Sequence, residues 1–192
     1  MERTERRSRR RGAPVRCAAV CAAALLGMQA IALAAQAIHV APLVRDGRVY
    51  VSFKLSDAFD NEDIRAAVHS GLTITFVYDV ELRRGAALWL DRTLDAATVS
   101  AAVQYDNLAR RYQVALYTDG RLEDRAVIDD EDRARAWLTE FEKLNLFSSD
   151  RLEPNVEYYV RVRARTTPRN AAFVWPWRGT DVAGLAKFTF LR

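Results

Sequence analysis

Apolar Leu72, Ile74, Phe76, Tyr78, Val80 and Leu82 alternate with Thr73, Thr75, Val77, Asp79, Glu81 and Arg83. A period of two marks a strand with one face in a core and the other in water, so residues 72–84 predict the strand that organises the fold. The same alternation returns at residues 156–165. Earlier in the chain, residues 38–44 and 48–55 predict a hairpin across Asp46-Gly47, a pair suited to a two-residue turn. The period then changes: Ile64, Ala67 and Val68 share a helical face, with Asp60 placed to cap the start and Gly71 to end it. Residues 86–90, 92–105, 111–118, 121–128 and 185–191 give further extended segments, separated by turns at Asp106-Asn107-Leu108 and Asp119-Gly120. From Asp129, a stripe of Ala134, Trp137, Leu138, Phe141 and Leu144 predicts one long helix reaching Asn145.

About seven strands without a βαβ rhythm predict an antiparallel β-sandwich with one short and one long inserted helix. Its most specific stretch is Leu152-x-Pro154-x-x-x-Tyr158-x-Val160-x-Val162. This resembles the corner and following strand of fibronectin type III and other immunoglobulin-like domains. The resemblance implies structural roles for three residues: Leu152 and Pro154 shape the crossing between sheets, and buried Tyr158 sends its hydroxyl back to the crossing's backbone. The tryptophan usual on the third strand of such domains is missing from residues 72–84.

Charge changes the picture of the N-terminus. Seven arginines lie within residues 1–16, and an uncharged, alanine-rich run fills residues 17–37. A basic segment, an apolar run and small residues at its exit predict a signal peptide over 1–37, cleaved after Ala34 or Ala37, with an uncleaved membrane anchor as the alternative. Both cysteines, Cys17 and Cys21, fall inside it. The remaining 38–192 form a single predicted domain of periplasmic or other extracytoplasmic location. This part has no thiol for disulfide, metal or nucleophile chemistry. It keeps 22 of the 29 basic and 23 of the 25 acidic residues, a net charge of −1 against +4 for the whole chain. The basic balance therefore belongs to the leader and predicts no nucleic-acid partner.

Residues suited to catalysis are sparse. Histidine occurs only as His39 and His69, and no Gly-x-Ser-x-Gly or phosphate-cradling loop is present. The acidic groups Asp57, Asp60, Glu62, Asp63 and Asp129 to Asp132 lack the spacing of a calcium loop and suit helix N-termini instead. Neither a cofactor nor a metal site is expected. Two features suit binding. Tyr159, Arg161, Arg163 and Arg165 occupy the polar face of the strand at 156–165, as an anion-binding ladder or as cross-strand partners of Asp79 and Glu81. Trp175-Pro176-Trp177 places two rings on one side of an extended loop, either as a platform for a partner or as an anchor onto the sandwich.

Leu55-Ser56-Asp57, Ser70-Gly71-Leu72, Val77 to Leu82, Trp89-Leu90-Asp91-Arg92 and Tyr105-Asp106-Asn107-Leu108-x-x-Arg111-Tyr112 together resemble the exported bacterial family called domain of unknown function 4390. That resemblance spans most of residues 38–165. It implies an envelope protein of uncharacterised activity and carries no catalytic or binding residue. The expected function is a non-enzymatic module that binds another envelope protein. The alternatives are binding of an anionic glycan or lipid through the arginines and tryptophans, and hydrolysis by paired carboxylates.

Overall fold

The structure, a computed structural model, describes residues 38–56, 62–85, 92–167 and 182–191. These hold nine strands and two short helices: β1 (Ile38–Arg45), β2 (Arg48–Leu55), α1 (Glu62–His69), β3 (Ile74–Arg84), β4 (Arg92–Asp106), β5 (Arg111–Thr118), β6 (Arg121–Ile128), α2 (Glu131–Thr139), β7 (Glu140–Ser148), β8 (Glu157–Thr167) and β9 (Val182–Thr189). Two antiparallel sheets result, one ordered β1-β2-β7 and the other β6-β5-β4-β3-β8-β9. The fold is a mainly β sandwich, as the alternating pattern predicts. The expected leader over 1–37, Asp57, Asp60, the strand at 86–90 and the Trp175-Pro176-Trp177 loop lie outside the described residues.

Local chemistry sets the hairpins. Asp46 and Gly47 at β1–β2, and Asp119 and Gly120 at β5–β6, all have φ between 50° and 77°, the backbone of a two-residue turn whose twist matches that of its strands. The Asp106 carboxylate accepts from the N–H groups of Leu108 and Ala109, both at 2.9 Å, and so turns the chain between β4 and β5. Gly71, at φ +80°, ends α1: its N–H reaches the Val68 carbonyl and that of Leu72 the Ala67 carbonyl, a Schellman arrangement. Leu72 is thereby part of the helix stop and half exposed, and the central strand begins at Ile74.

The core lies between the inner faces. Ile74, Phe76, Tyr78, Val80 and Leu82 of β3 meet Tyr158, Val160 and Val162 of β8, Val99, Ala101 and Val103 of β4, and Val49, Val51 and Phe53 of β2. Along one side β1 passes directly over β9. A Cβ on Gly184 would fall on the Ile38 carbonyl oxygen and stand 2.8 Å from the Ile38 Cβ and 2.9 Å from Val40 Cγ2. Only a residue without a side chain lets the strands approach so closely.

Along the other side α2 runs from β6, the last strand of the large sheet, to β7, the last of the small one. Its N-cap, Asp130, accepts from the Arg133 N–H at 2.8 Å, and Ala134 and Leu138 are buried. The Tyr78 hydroxyl donates to the Leu138 carbonyl at 2.6 Å, joining the central strand to the last turn of the helix.

The long helix expected from Asp129 to Asn145 is a correction: α2 stops at Thr139, and β7 continues from Glu140. β7 imitates a helical period because it is bulged against β2. Phe141, Leu144 and Phe147 oppose Phe53, Val51 and Val49, so β7 uses three residues for each two of its partner. Lys143, at φ 50°, sits in one such irregularity, its N–H donating to Ser52 Oγ at 2.9 Å. Burial of Phe141 against Phe53 and Tyr78, with ring centroids 4.6 and 5.1 Å apart, holds it in the sheet.

Candidate functional site

Two regions of the outer face of the six-stranded sheet carry polar chemistry. The first spans β3 and β8, whose alternation turns Asp79, Glu81 and Arg83 to the same side as Tyr159, Arg161, Arg163 and Arg165. Arg161 lies directly opposite Glu81 and donates to it at 2.8 Å. Arg163 and Arg165 reach diagonally, to Glu81 at 2.8 Å and to Asp79 at 3.2 and 3.4 Å. Arg83 stands 3.5 Å from Glu81, with its guanidinium 5.7 Å from the Tyr159 ring centre. The predicted ladder is thus a cross-strand network. Four guanidinium groups share two carboxylates, an excess of two positive charges among these six side chains. Tyr159 is buried rather than presented to solvent.

Beside this network the corner residues take distinct places. Tyr158 is fully buried against Phe188, and its hydroxyl oxygen accepts from the Glu153 N–H at 2.8 Å. Leu152 is buried and Pro154 exposed. Arg84 grips the Glu153 carboxylate with two bonds of 2.6 and 2.9 Å. That hydrogen-bonded pairing holds the Glu153 carboxyl below its ordinary range and the Arg84 guanidinium above its own.

The second region is a hollow of about 620 Å³ on β4, β5 and β6. Its floor is the cross-strand pair Ala102 and Ala115, whose methyl groups leave the space that larger side chains would fill. Gln104, Gln113, Tyr117, Arg125 and Val127 form the rim. On β6, which pairs only with β5 among the described strands, Leu122 is 46% and Val127 63% exposed. Sequence reasoning missed the hollow. Its signal was two alanines at polar-face positions, visible as a pair only once the β4–β5 register is known.

At one end of the sandwich His69, the last residue of α1, lies 3.7 Å from the Glu131 carboxylate at the start of α2 and packs edge-on to Tyr105, with centroids 5.4 Å apart. Burial, assisted by Glu131, pushes the Tyr112 phenol up to about 12. His39 lies instead on β1, opposite Lys54 of β2. Among the described residues no three His, Cys, Asp or Glu side chains are grouped to hold a metal ion. No described helix is long and apolar enough to cross a membrane.

The family described as Domain of unknown function (DUF4390) matches residues 32–171, most of the chain. This chain belongs to that family. The DUF4390 match covers both the arginine network and the hollow, and stops before β9. No curated protein and no solved structure matches the chain.

Proposed function

We propose that this DUF4390 chain is an exported, periplasmic module that acts without catalysis by binding another envelope protein. The observation that carries this reading is the end of the large sheet: among the described strands β6 has a partner on one side only, and it carries two exposed apolar side chains with a hollow beside it. An exposed strand edge offers unpaired N–H and C=O groups, and exposed apolar residues beside it supply area for a protein partner. Asp79 and Glu81, by contrast, already hold arginines, which leaves them poorly placed to act as a hydrolytic pair. The leader-like 1–37 supports export, and the Tyr158 corner supports kinship with immunoglobulin-like modules.

The test is affinity purification of the full chain, after crosslinking in intact cells, from separated cytoplasmic and envelope fractions. A single envelope protein recovered in constant ratio, with the chain itself in the periplasmic or membrane fraction, is the expected result. A cytoplasmic chain, or turnover of a substrate by the purified protein, would sink the reading.

The excess of two positive charges within the network of β3 and β8 supports a second reading, binding of an anionic glycan or lipid. Trp175 and Trp177 would supply its rings. Vesicles of anionic phospholipid and a sulfated polysaccharide are the probes: Arg163→Gln should weaken binding of one of them, and wild-type chain that binds neither refutes this second reading.

A further inference from the structure

The geometry points to β6 as the docking edge for an extended peptide of a partner protein, one that carries an acidic residue with apolar residues two positions to either side. This deepens, and rests on, the reading of the chain as a protein-binding module. Among the described strands four end the two sheets, and three of them are poor receivers of another strand. β9 is closed over by β1 at Gly184. β1 carries Pro42 in mid-strand, which has no N–H to give. β7 is broken by two register shifts, with Lys143 at φ 50°.

β6 differs from all three. From Asp124 to Ile128 it pairs without interruption with 112–116, so its far side offers a regular row of alternating donors and acceptors. Its side chains specify what would pair there. Leu122, Arg125 and Val127 lie on the hollow's side of the sheet, because they face Tyr117, Ala115 and Gln113 across the ladder. β6 has one extra residue between Leu122 and Arg125, where β5 spans the same stretch with Ala115 and Tyr117 two apart. An added strand that passes this bulge as β5 does sets an apolar residue beside Val127, an acid beside Arg125 and an apolar residue beside Leu122, since directly opposed side chains on one face interact. A long side chain leaning over Val127 enters the hollow above Ala102 and Ala115. The charges at Arg121, Glu123, Asp124 and Arg125 discourage indiscriminate edge pairing while leaving a selective one open.

The test is selection of a random-peptide library on the purified full chain, followed by synthesis of the enriched peptides. Enriched sequences should show the apolar-x-acid-x-apolar pattern and slow hydrogen exchange at residues 124–128. Reversing the exposed charge with Arg125→Glu should weaken binding about tenfold, roughly 1.4 kcal/mol, and replacing the peptide's acid by lysine should restore it. Methylating alternate backbone nitrogens of the peptide, which leaves the protein untouched, should abolish binding. Absence of enrichment, binding indifferent to Arg125→Glu, or exchange unchanged at β6 would overturn the proposal. A dimer of the chain that dissociates on Arg125→Glu would also overturn it, placing a second copy on the edge. An envelope partner that is still recovered with Arg125→Glu leaves the module reading intact and removes only this edge.

Discussion

Replacing Tyr78 by phenylalanine removes one oxygen and tests how α2 is fixed to the sandwich. Tyr78 is fully buried, as is Leu138, whose carbonyl accepts the phenol at 2.6 Å. That carbonyl belongs to the last turn of α2, where no helical N–H lies four residues ahead because residue 142 is already in β7. In Tyr78→Phe the ring keeps its contacts with Phe53 and Phe141, so little packing is lost. What changes is a buried acceptor left without a donor, a cost of about 1–3 kcal/mol. Taking about 2 kcal/mol and a domain of this size, the melting temperature should fall by roughly 4–8 °C. Urea unfolding followed by tryptophan fluorescence measures the difference, with an unchanged m-value showing that the two-state comparison holds. A loss below about 0.5 kcal/mol would mean that the carbonyl finds another donor, and the Tyr78 hydroxyl would not be what seats the helix.

Glu81→Gln removes the carboxylate shared by Arg83, Arg161 and Arg163. It should cost about 1–2 kcal/mol, a loss partly recovered in high salt, where the crowded guanidinium groups are screened; salt-independent stability would contradict the network. Gly184→Ala drives a methyl group into the β1 backbone and should cost about 3 kcal/mol or more by thermal unfolding, with a near-neutral result refuting the close crossing. In alkali, the Tyr112 phenol titrates near 12 folded against 10 unfolded, and Tyr78 is raised further by burial. Protons are thus held more tightly in the native state, so this stability is complete below pH 10 and falls as pH rises through 12. Urea midpoints over that range should drop less steeply in Tyr112→Phe than in wild type.

The fold was largely legible because alternation is a local signal that survives tertiary packing. β3 and β8 appear wherever apolar and polar residues trade places, and the Asp-Gly pairs mark the turns of the β1–β2 and β5–β6 hairpins. The sequence misleads where one pattern serves two structures. Phe141, Leu144 and Phe147 have the spacing of a helix, and only pairing with β2 shows that bulges produce it. Similarly, the cross-strand option for Arg161, Arg163 and Arg165 was open on composition, but selecting it needs the register that brings Glu81 and Asp79 alongside. The hollow was illegible for the same reason: Ala102 and Ala115 are ordinary residues until two strands set them face to face.

Pro42 in β1, the seal at Gly184 and the bulged β7 leave β6 as the regular end among the described strands. Linear polymers grown by sheet extension need a donor end and an acceptor end on every subunit. With one such end among its described strands, the molecule is monovalent for such growth: an occupant on β6 terminates the series instead of extending it.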